Sequence, residues 1–413
     1  MSRLIFHIDV NSAYLSWEAA RRVAAGEPDL RLIPSAIGGD RNKRTGIILA
    51  KSVPAKKYGI KTGEPVSMAL RKCPELVVVP SDFRLYVKNS EAFMAICRRY
   101  APVVEKYSID ECFLDLSGTE YIYPDPVALA HEIKDTIRQE LGFTVNVGVA
   151  GNKMLAKMAG DFEKPDRVHT LFPHEIRSKM WPLPVGELFT VGKSTAHRLE
   201  QAGIATIGQL AQTELSRVQR LVGEKLGAQI HRFANGLDDT PVSDVPEEAK
   251  GFSISTTLES DVIRREEACR ILRLLTDAVS ARMRAESAKA GCVAVTIRGN
   301  DFRDRSHQQQ LDAASDISDE IYQISRGLFD TLWDGETPLR LLGIALTQIT
   351  RGETEQLTLF ASPERERARK MDRTMDALRN RFGQDAIRRG SSLETSIQVG
   401  RKYRAQMEQK NDE

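Results

Sequence analysis

Two segments decide the fold of this chain: LIFHIDV at residues 4–10 and YSIDECFLD at residues 107–115. In the first, apolar residues alternate with Ile5, His7 and Asp9, a pattern that predicts a strand packed inside a sheet. Asp9 then lies at the carboxyl end of that strand.

The second segment contributes two more acids, Asp110 and Glu111. Because neighbouring residues of a strand point to opposite faces, both acids can join Asp9 only if a turn breaks the alternation, and Ser108 indicates such a turn. Three carboxylates could then hold Mg2+, which prefers oxygen ligands. Two such ions, about 3.5–4 Å apart, can clamp an in-line phosphoryl displacement. The alternative stays open that Asp9 caps the next helix and that Asp110 and Glu111 only decorate a turn.

Length and composition indicate a multidomain protein without membrane or secretion signals. A chain of 413 residues, 41% of them apolar, is long enough for two to four modules with buried cores. The net charge of +2 conceals 59 basic and 57 acidic residues, so affinity for nucleic acid would have to come from local basic patches. Five cysteines without CxxC pairing argue against zinc and against a disulfide framework. No segment predicts export or membrane anchoring, so we expect a cytoplasmic protein, and one associated with the nucleoid if it binds DNA.

The chain resembles the Y-family of DNA polymerases, the translesion enzymes that include DNA polymerase IV and the polymerase V catalytic subunit. The resemblance runs from about residue 3 to about residue 400. It is carried by FHIDVNSAY (6–14), SIDE (108–111) and GVAGNKMLAKMA (148–159), followed by Lys164 and Pro165. The family implies an α+β multidomain fold, the right-hand polymerase, with palm, fingers, helical thumb and little finger.

The domain boundaries implied by the resemblance coincide with glycine-rich and polar linker segments of the chain. They are a palm at 1–10 and 79–165, fingers at 11–78, a thumb at 166–240, a linker at 241–250, a little finger at 251–350 and a tail at 351–413.

Periodicity alone predicts a β-α-β-β-α-β order for the little finger. Apolar residues recur on one face of a helix at 264–288 and of another at 317–332. Strands are predicted at 252–258, 293–297, 306–311 and 342–349. An unrelated small α+β module would show the same order.

The segment from Thr190 to Gly208 resembles a helix-hairpin-helix motif, with Gly192, Lys193 and Ser194 at the start of its first helix. A glycine lets backbone N–H groups approach a phosphate closely, and a helix start favours an anion. A helical hairpin without a ligand is the alternative.

The resemblance also implies roles for the acids and for the nucleotide-binding residues. Asp9 and Asp110 would bridge two Mg2+ ions, Glu111 would ligate the catalytic ion, and the main-chain carbonyl of Val10 would complete the nucleotide-side ion. Lys164 matches the triphosphate-binding lysine of the family, with a solvated surface charge as the alternative.

Tyr14, the stretch at 52–56 and Asn11 lie near the expected nucleotide. Tyr14 occupies the position of the gate against ribose, although an aromatic residue in a first helical turn also suits a plain core. In the fingers, Ser52 and Lys56 stand in the triphosphate-binding stretch. Lys56 lacks the planar fork of the arginine in many relatives, and Val53 cannot donate a hydrogen bond, so we expect weaker triphosphate binding. Asn11 replaces an acid that many relatives carry, and is left out of the metal ligands.

Near the end of the chain, Gln356, Leu357, Leu359 and Phe360 resemble the peptide by which bacterial polymerases hold the sliding clamp. A helix is predicted after it, with Ala368, Met371, Met375, Leu378 and Phe382 on one stripe and a solvated basic face, ended by Gly383.

The expected function is template-directed DNA synthesis by a monomer on primer-template DNA with deoxynucleoside triphosphates. A catalytically weak family member that binds DNA and the clamp as a scaffold is the main alternative. A nucleotidyl cyclase would lack the thumb and clamp peptide, and a repair protein built on the hairpin would need neither Lys164 nor Tyr14.

Overall fold

The structure is a computed structural model that describes residues 3–40, 46–352, 363–383, 386–387 and 389–390. Contacts divide the chain into two units, residues 1–37, 49–62 and 72–246 in the first and residues 38–48, 63–71 and 247–413 in the second. Within the described ranges, no helix is both long and apolar enough to span a bilayer. All five cysteines are free thiols, and four of them are buried.

From residue 5 to residue 234 the described residues form eight strands and ten α-helices. In chain order these are β1 (Ile5–Val10), α1 (Ala13–Ala24), β2 (Ser35–Gly38), β3 (Ile48–Lys51), α2 (Val53–Lys56), α3 (Val66–Lys72), β4 (Val77–Val79), α4 (Phe83–Tyr100), β5 (Val103–Lys106), β6 (Glu111–Asp115), α5 (Pro126–Leu141), β7 (Val145–Ala150), α6 (Lys153–Gly160), β8 (Val168–Leu171), α7 (Lys193–Gln201), α8 (Ile207–Gln212), α9 (Leu215–Val222) and α10 (Glu224–Ala234).

Strand β1 is the middle strand of a five-stranded sheet, as its pattern predicted. The strand order is β5-β6-β1-β7-β8, and β1 is antiparallel to both of its neighbours. All six residues of β1 are buried because helices cover both faces of the sheet. Its register places Asp9 opposite Glu111 on β6 and opposite Asn146 on β7.

The two faces of β1 belong to two different hydrophobic cores. Phe6, Ile8 and Val10 pack in a core that contains buried residues of α4 and α5. Ile5 packs in a second core that contains buried residues of α6. His7 and Asp9 share the face of Ile5, so the parity of the strand directs them toward the side of the sheet that carries α6.

Helix α1 was placed in the fingers by the family resemblance. Its buried residues Leu15 and Trp17 lie in the core of Phe6 and Ile8, and the Trp17 ring lies 5.9 Å from that of Tyr86 on α4. Packing therefore groups α1 with the five-stranded sheet. A smaller sheet has the strand order β3-β2-β4.

Helices α7 to α10 form the helical part of the first unit. Their buried apolar residues share a core with α6, and include Leu199, Ile207, Leu210, Val218 and Ile230. Helix α8 begins at a capping box, in which Thr206 and Gln209 satisfy backbone donors of the first turn. The helical hairpin predicted from the sequence is thus present.

The β-α-β-β-α-β order predicted for the second unit is confirmed. Its elements are β9 (Phe252–Val262), α11 (Arg265–Ala285), β10 (Ala288–Gly299), β11 (Asp304–Ser315), α12 (Ser318–Leu332) and β12 (Leu339–Arg351). The sheet is antiparallel with the order β11-β10-β12-β9. The apolar stripes of both helices are packed in its core. The strands are longer than predicted, and β11, for example, extends beyond the predicted 306–311 to Asp304 at one end and to Ser315 at the other.

Helix α13 (Pro363–Phe382) forms where the tail helix was predicted, but its apolar stripe is not its packed face. Met375 is buried, whereas Met371, Leu378 and Phe382 are exposed. The expectation of a solvated basic face was also wrong in part. Arg365 pairs with Glu320, and Arg369 pairs with Asp316, so ion pairs hold α13 against the region around the start of α12.

Candidate active site

The turn before Glu111 is formed by its own backbone and by Ser108. The N–H groups of Tyr107 and Ser108 both donate to the carbonyl of Glu111 at 3.1 Å, which closes the β5–β6 hairpin. The Ser108 hydroxyl donates to Asp110 Oδ1 at 2.7 Å. Asp110 therefore lies in the turn rather than in the strand, and the predicted break of the alternation is confirmed.

Asp110 is also tied to the end of β1, because the Val10 N–H donates to its carbonyl at 3.0 Å. Asp9 and Glu111 are directly opposite each other on neighbouring strands. The Cβ atoms of such a pair lie about 4.5–5.5 Å apart. Two carboxylates are thus on adjoining strands, and the third is in the adjacent turn.

Glu111 is held by two donors on a single oxygen. His7 Nε2 lies 3.0 Å from Glu111 Oε2, and Lys157 Nζ lies 2.5 Å from the same atom. Burial opposes ionisation of Glu111, but these hydrogen bonds outweigh it and bring its pKa down to about 2. Glu111 is therefore a carboxylate with one oxygen fixed by the protein.

His7 is fully buried, and burial lowers its pKa. A neutral ring facing an ionised carboxylate donates from Nε2, which leaves Nδ1 as the unprotonated nitrogen. Within the described residues, Nδ1 has no hydrogen-bond partner. A Cβ atom at Gly160 would lie 2.9 Å from Nδ1, so this glycine allows α6 to pass close to the ring.

Asp9 is paired with Lys164, which also bonds Asp161 Oδ1 at 2.8 Å. Burial raises the pKa of Asp9, and the Lys164 ammonium offsets this only in part. Burial opposes the charge of Lys164, but the two carboxylates outweigh it and raise its pKa. The predicted triphosphate lysine is therefore charged and lies at the predicted metal ligand.

The three acids suit a hard divalent cation in their chemistry, although they are not assembled as a finished metal site. Among the described residues, no group of three or more His, Cys, Asp and Glu side chains is arranged to hold a metal ion. Lysines occupy an oxygen of Asp9 and of Glu111 instead. Carboxylate oxygens are the donors that Mg2+ prefers, and two positive groups already compensate their charge. The residues therefore fit such ions, provided that Lys164 moves away from Asp9, while Lys157 and His7 hold only Oε2 of Glu111.

Tyr14 lies in the first turn of α1, close to this cluster. Its ring lies 4.7 Å from that of Tyr86 and 6.5 Å from that of Phe83, and both contacts fix its orientation. Burial raises the pKa of Tyr14, and the negative charge of Asp110 raises it further. Tyr14 is thus half-buried and packed against the first hydrophobic core, and it is also close enough to Asp110 to sense its charge.

Ser52 and Lys56 lie at the two ends of α2, and only Lys56 is exposed. The Ser52 hydroxyl donates to the Ile33 carbonyl at 2.8 Å and accepts from Ala55 N–H and Ser35 N–H, both at 3.1 Å. These three bonds use the whole capacity of a hydroxyl group. Ser52 is therefore a buried helix cap in this structure, and its predicted contact with nucleotide needs hydrogen bonds that it already makes elsewhere.

Gly192 caps the start of α7, and Lys193 and Ser194 follow it at exposed positions. The φ of Gly192 is −76°, which any residue can adopt. A Cβ atom there would meet no described atom within 4 Å. Folding therefore does not require glycine at this position, and close approach of a ligand to the backbone remains a reason for it. Gln356, Leu357, Leu359 and Phe360 lie outside the described residues.

Several residues that contact the acids had no predicted role. His7 was noted only for its face of β1, and Lys157 only as part of the motif at 148–159. Lys153, one turn earlier on α6, pairs with Glu105 rather than with an acid of the cluster. The i, i+4 spacing of the two lysines does not show which acid each one meets.

The fold and the acids define a right-hand polymerase, and comparisons agree. The impB/mucB/samB family model matches residues 8–161, and the model of its C-terminal domain matches residues 249–359. A model described as the thumb domain of DNA polymerase-iota matches residues 186–238.

Relatives match over nearly the whole chain. DNA polymerase IV of Clostridium acetobutylicum is 42% identical over 395 residues, which are 95% of this chain and 99% of the relative. DNA polymerase IV 1 of Bacillus subtilis is 37% identical over 397 residues, 95% of this chain and 94% of the relative.

A solved structure shows the same fold. The Y-family DNA polymerase chimera Dbh-Dpo4(243-245)-Dbh superposes with a TM-score of 0.74 at 21% identity, covering 84% of this chain and 100% of that chain.

The chain belongs to the impB/mucB/samB family of Y-family DNA polymerases. Its activity is that of a DNA-directed DNA polymerase, which uses primer-template DNA and deoxynucleoside triphosphates. Polymerases of this family generally use divalent metal ions.

Proposed function

We propose that this polymerase adds deoxynucleotides to a primer 3′-OH by two-metal-ion phosphoryl transfer, on damaged as well as on intact templates. The observation that carries the proposal is the placement of the acids, with Asp9 opposite Glu111 and Asp110 in the turn bonded to Val10. Three carboxylates gathered on two adjoining strands and the turn beside them are the oxygen donors that a pair of Mg2+ ions needs.

In the proposed site Asp9 and Asp110 would hold the two Mg2+ ions, and Glu111 and the Val10 carbonyl would each supply a further oxygen ligand to one of them. Such ions lower the pKa of the attacking hydroxyl and neutralise charge on the leaving pyrophosphate. The chain itself supplies placement. His7 and Lys157 both bond Oε2 of Glu111, which orients the other oxygen, Oε1.

Lys164 is the proposed contact to the incoming triphosphate. Its ammonium is beside Asp9, so a triphosphate held by ions at Asp9 lies within its reach. The phosphate would replace Asp9 as its negative partner, and the charge of the lysine would stay compensated. Lys56 is exposed at the end of α2 and is the second proposed cation. Ser52 is a further predicted contact, and its hydroxyl would have to give up one of the three bonds that it makes here.

Tyr14 is proposed to exclude ribonucleotides. Its ring is fixed by Tyr86 and Phe83, so it cannot easily swing away from a 2′-hydroxyl group. Val53, Pro54 and Ala55 at the expected roof of the base pair are small, which leaves room for damaged bases and for mispairs.

The thumb residues Gly192, Lys193 and Ser194 are proposed to contact the DNA backbone without regard to sequence. The sequence of the 356–360 peptide supports binding to a sliding clamp, which would hold the monomeric polymerase at the primer end.

Primer extension with Mg2+ on intact and abasic templates tests the proposal. Asp110→Ala should abolish extension while primer-template affinity is retained. Asp115→Ala is the matched control, because Asp115 lies on the same hairpin and only accepts a local bond from Ser117 N–H. DNA binding without extension by the unaltered chain would favour the scaffold alternative. Extension that stops at the abasic site would refute the part concerning damaged templates.

A further inference from the structure

Two buried asparagines stand next to the acid cluster and are not part of it. Asn146 lies on β7, directly opposite Asp9, and Asn11 follows the end of β1. They are 0% and 7% exposed. Asn11 Nδ2 donates to Asn146 Oδ1 at 3.0 Å, so the two amides form one hydrogen-bonded pair.

The remaining amide atoms of this pair bond the backbone on both sides of Lys164. Asn146 Nδ2 donates to the carbonyls of Gly160, at 3.1 Å, and Glu163, at 2.6 Å. Asn11 Oδ1 accepts from the Asp166 N–H at 2.9 Å. The loop that carries Lys164 is therefore fixed immediately before and shortly after the lysine.

The pair also stabilises an unusual backbone conformation. Asp166 has a φ of 61°, in the left-handed region that is unfavourable for most residues. Its N–H is bonded by Asn11, and its carboxylate pairs with Lys134 and Arg138 of α5 at 3.0 and 2.8 Å. The loop is thus held from two directions.

We propose that Asn11 and Asn146 are positioning residues for Lys164. They hold the loop that carries Lys164 at a fixed distance from Asp9, and this position determines the affinity for the incoming nucleotide. The inference rests on the proposed role of Lys164 as the contact to the triphosphate. It also explains why position 11 is not an acid in this chain. A carboxylate there could not donate to Asn146 Oδ1, and Asn146 cannot turn its amide without abandoning Gly160 and Glu163.

Steady-state incorporation of a single nucleotide by the full chain provides the test. Asn146→Asp keeps the size of the side chain and removes both donations to the loop. Asn11→Ala removes the acceptor for Asp166 N–H. Each is expected to raise KM for the nucleotide about tenfold, the effect of losing one or two buried hydrogen bonds, with a smaller change in kcat and unchanged primer-template affinity.

The matched control is Asn235→Asp. Asn235 Nδ2 also donates to two backbone carbonyls, those of Ala211 and His231, but at the thumb helices. This variant should leave KM for the nucleotide unchanged. If Asn146→Asp does not fold, as judged by its thermal unfolding, Asn11→Ala carries the test.

Lys164→Ala and a double-mutant cycle separate the two levels of the hypothesis. If the pair acts through Lys164, Asn146→Asp should raise KM much less when Lys164 is already alanine. Equal effects in both backgrounds, or variants with unchanged KM, would overturn the positioning role while leaving Lys164 in place. A Lys164→Ala enzyme with normal KM would refute the proposed role of Lys164 itself.

Discussion

Replacing Lys157 with Met should weaken both the fold and the catalysis, because this lysine compensates a buried carboxylate. Lys157 and Glu111 are 13% and 19% exposed, and their charged atoms lie 2.5 Å apart. A pKa near 2 in place of 4.5 corresponds to roughly 3 kcal/mol, since one pKa unit is worth about 1.36 kcal/mol. His7 and Lys157 share this stabilisation, so we expect a loss of about 1–2 kcal/mol for Lys157→Met at pH 7.

The sign of the pH dependence follows from the direction of that pKa. A carboxylate whose pKa is lowered by folding stabilises the folded state fully above its unfolded pKa, near 4.5, and the stabilisation is lost as the pH falls toward about 2. The difference between the unaltered chain and Lys157→Met should therefore be largest at pH 7 and shrink below about pH 4.5.

Urea unfolding followed by tryptophan fluorescence measures this difference. A Trp333→Phe background confines the signal to the first unit, because Trp17 and Trp181 are the other tryptophans of the sequence. The Lys157→Met substitution should also lower kcat by between about tenfold and a hundredfold, which is the usual effect of removing a residue that orients a metal ligand.

Lys153→Met is the matched control. Lys153 lies one turn earlier on α6 and pairs with Glu105 at 2.6 Å, with exposures of 12% and 20%. Its loss should also lower stability, yet spare incorporation. The reasoning fails if Lys157→Met keeps the normal kcat, or if its loss of stability is the same at pH 7 and pH 3.

Three further outcomes are expected. Tyr14→Ala should raise incorporation of ribonucleotides sharply, measured as the ratio of kcat/KM for the two sugars, and an unchanged ratio would remove Tyr14 from the sugar site. Lys193→Ala should reduce the slope of log affinity for DNA against log salt concentration by about 0.9, and an equal slope would show that Lys193 neutralises no phosphate. Asp372→Ala should lower the free energy of unfolding of the second unit by about 3 kcal/mol in urea, because Asp372 is 3% exposed, accepts from Ser318 N–H and pairs with Arg389. A decrease below about 0.5 kcal/mol would show that α13 does not depend on Asp372.

The fold could be predicted well from the sequence wherever one face of an element is buried and the other is not. Ala268, Ile271 and Leu275 mark the packed face of α11 because only that face meets the sheet. On α13 the apolar stripe gave the wrong prediction of the packed face. Met371, Leu378 and Phe382 have helical spacing but are exposed, because ion pairs through Arg365 and Arg369 determine which face is packed.

The acids themselves were predictable because a strand end and a broken alternation are local properties. Their partners were not. Lys157 is 46 residues from Glu111, and Lys164 is 155 residues from Asp9. Nothing in the spacing of LAKMAGDFEK shows which acid each lysine will meet, since that depends on the tilt of α6 across β1.

These partners follow, however, from the energetics of the acid cluster. Ionised carboxylates on adjoining strands repel each other and lose solvation, so a fold that gathers them needs positive charge nearby even when no ion is bound. Lys164 and Lys157 provide that charge at Asp9 and Glu111. In the proposed site an ion at Asp9 would displace Lys164 and make it available to a triphosphate, whereas Lys157 would keep Oε2 of Glu111 and leave Oε1 for an ion. Two of the three acids thus have a lysine partner that stabilises the fold before any ion binds, and the proposed nucleotide site uses the same groups.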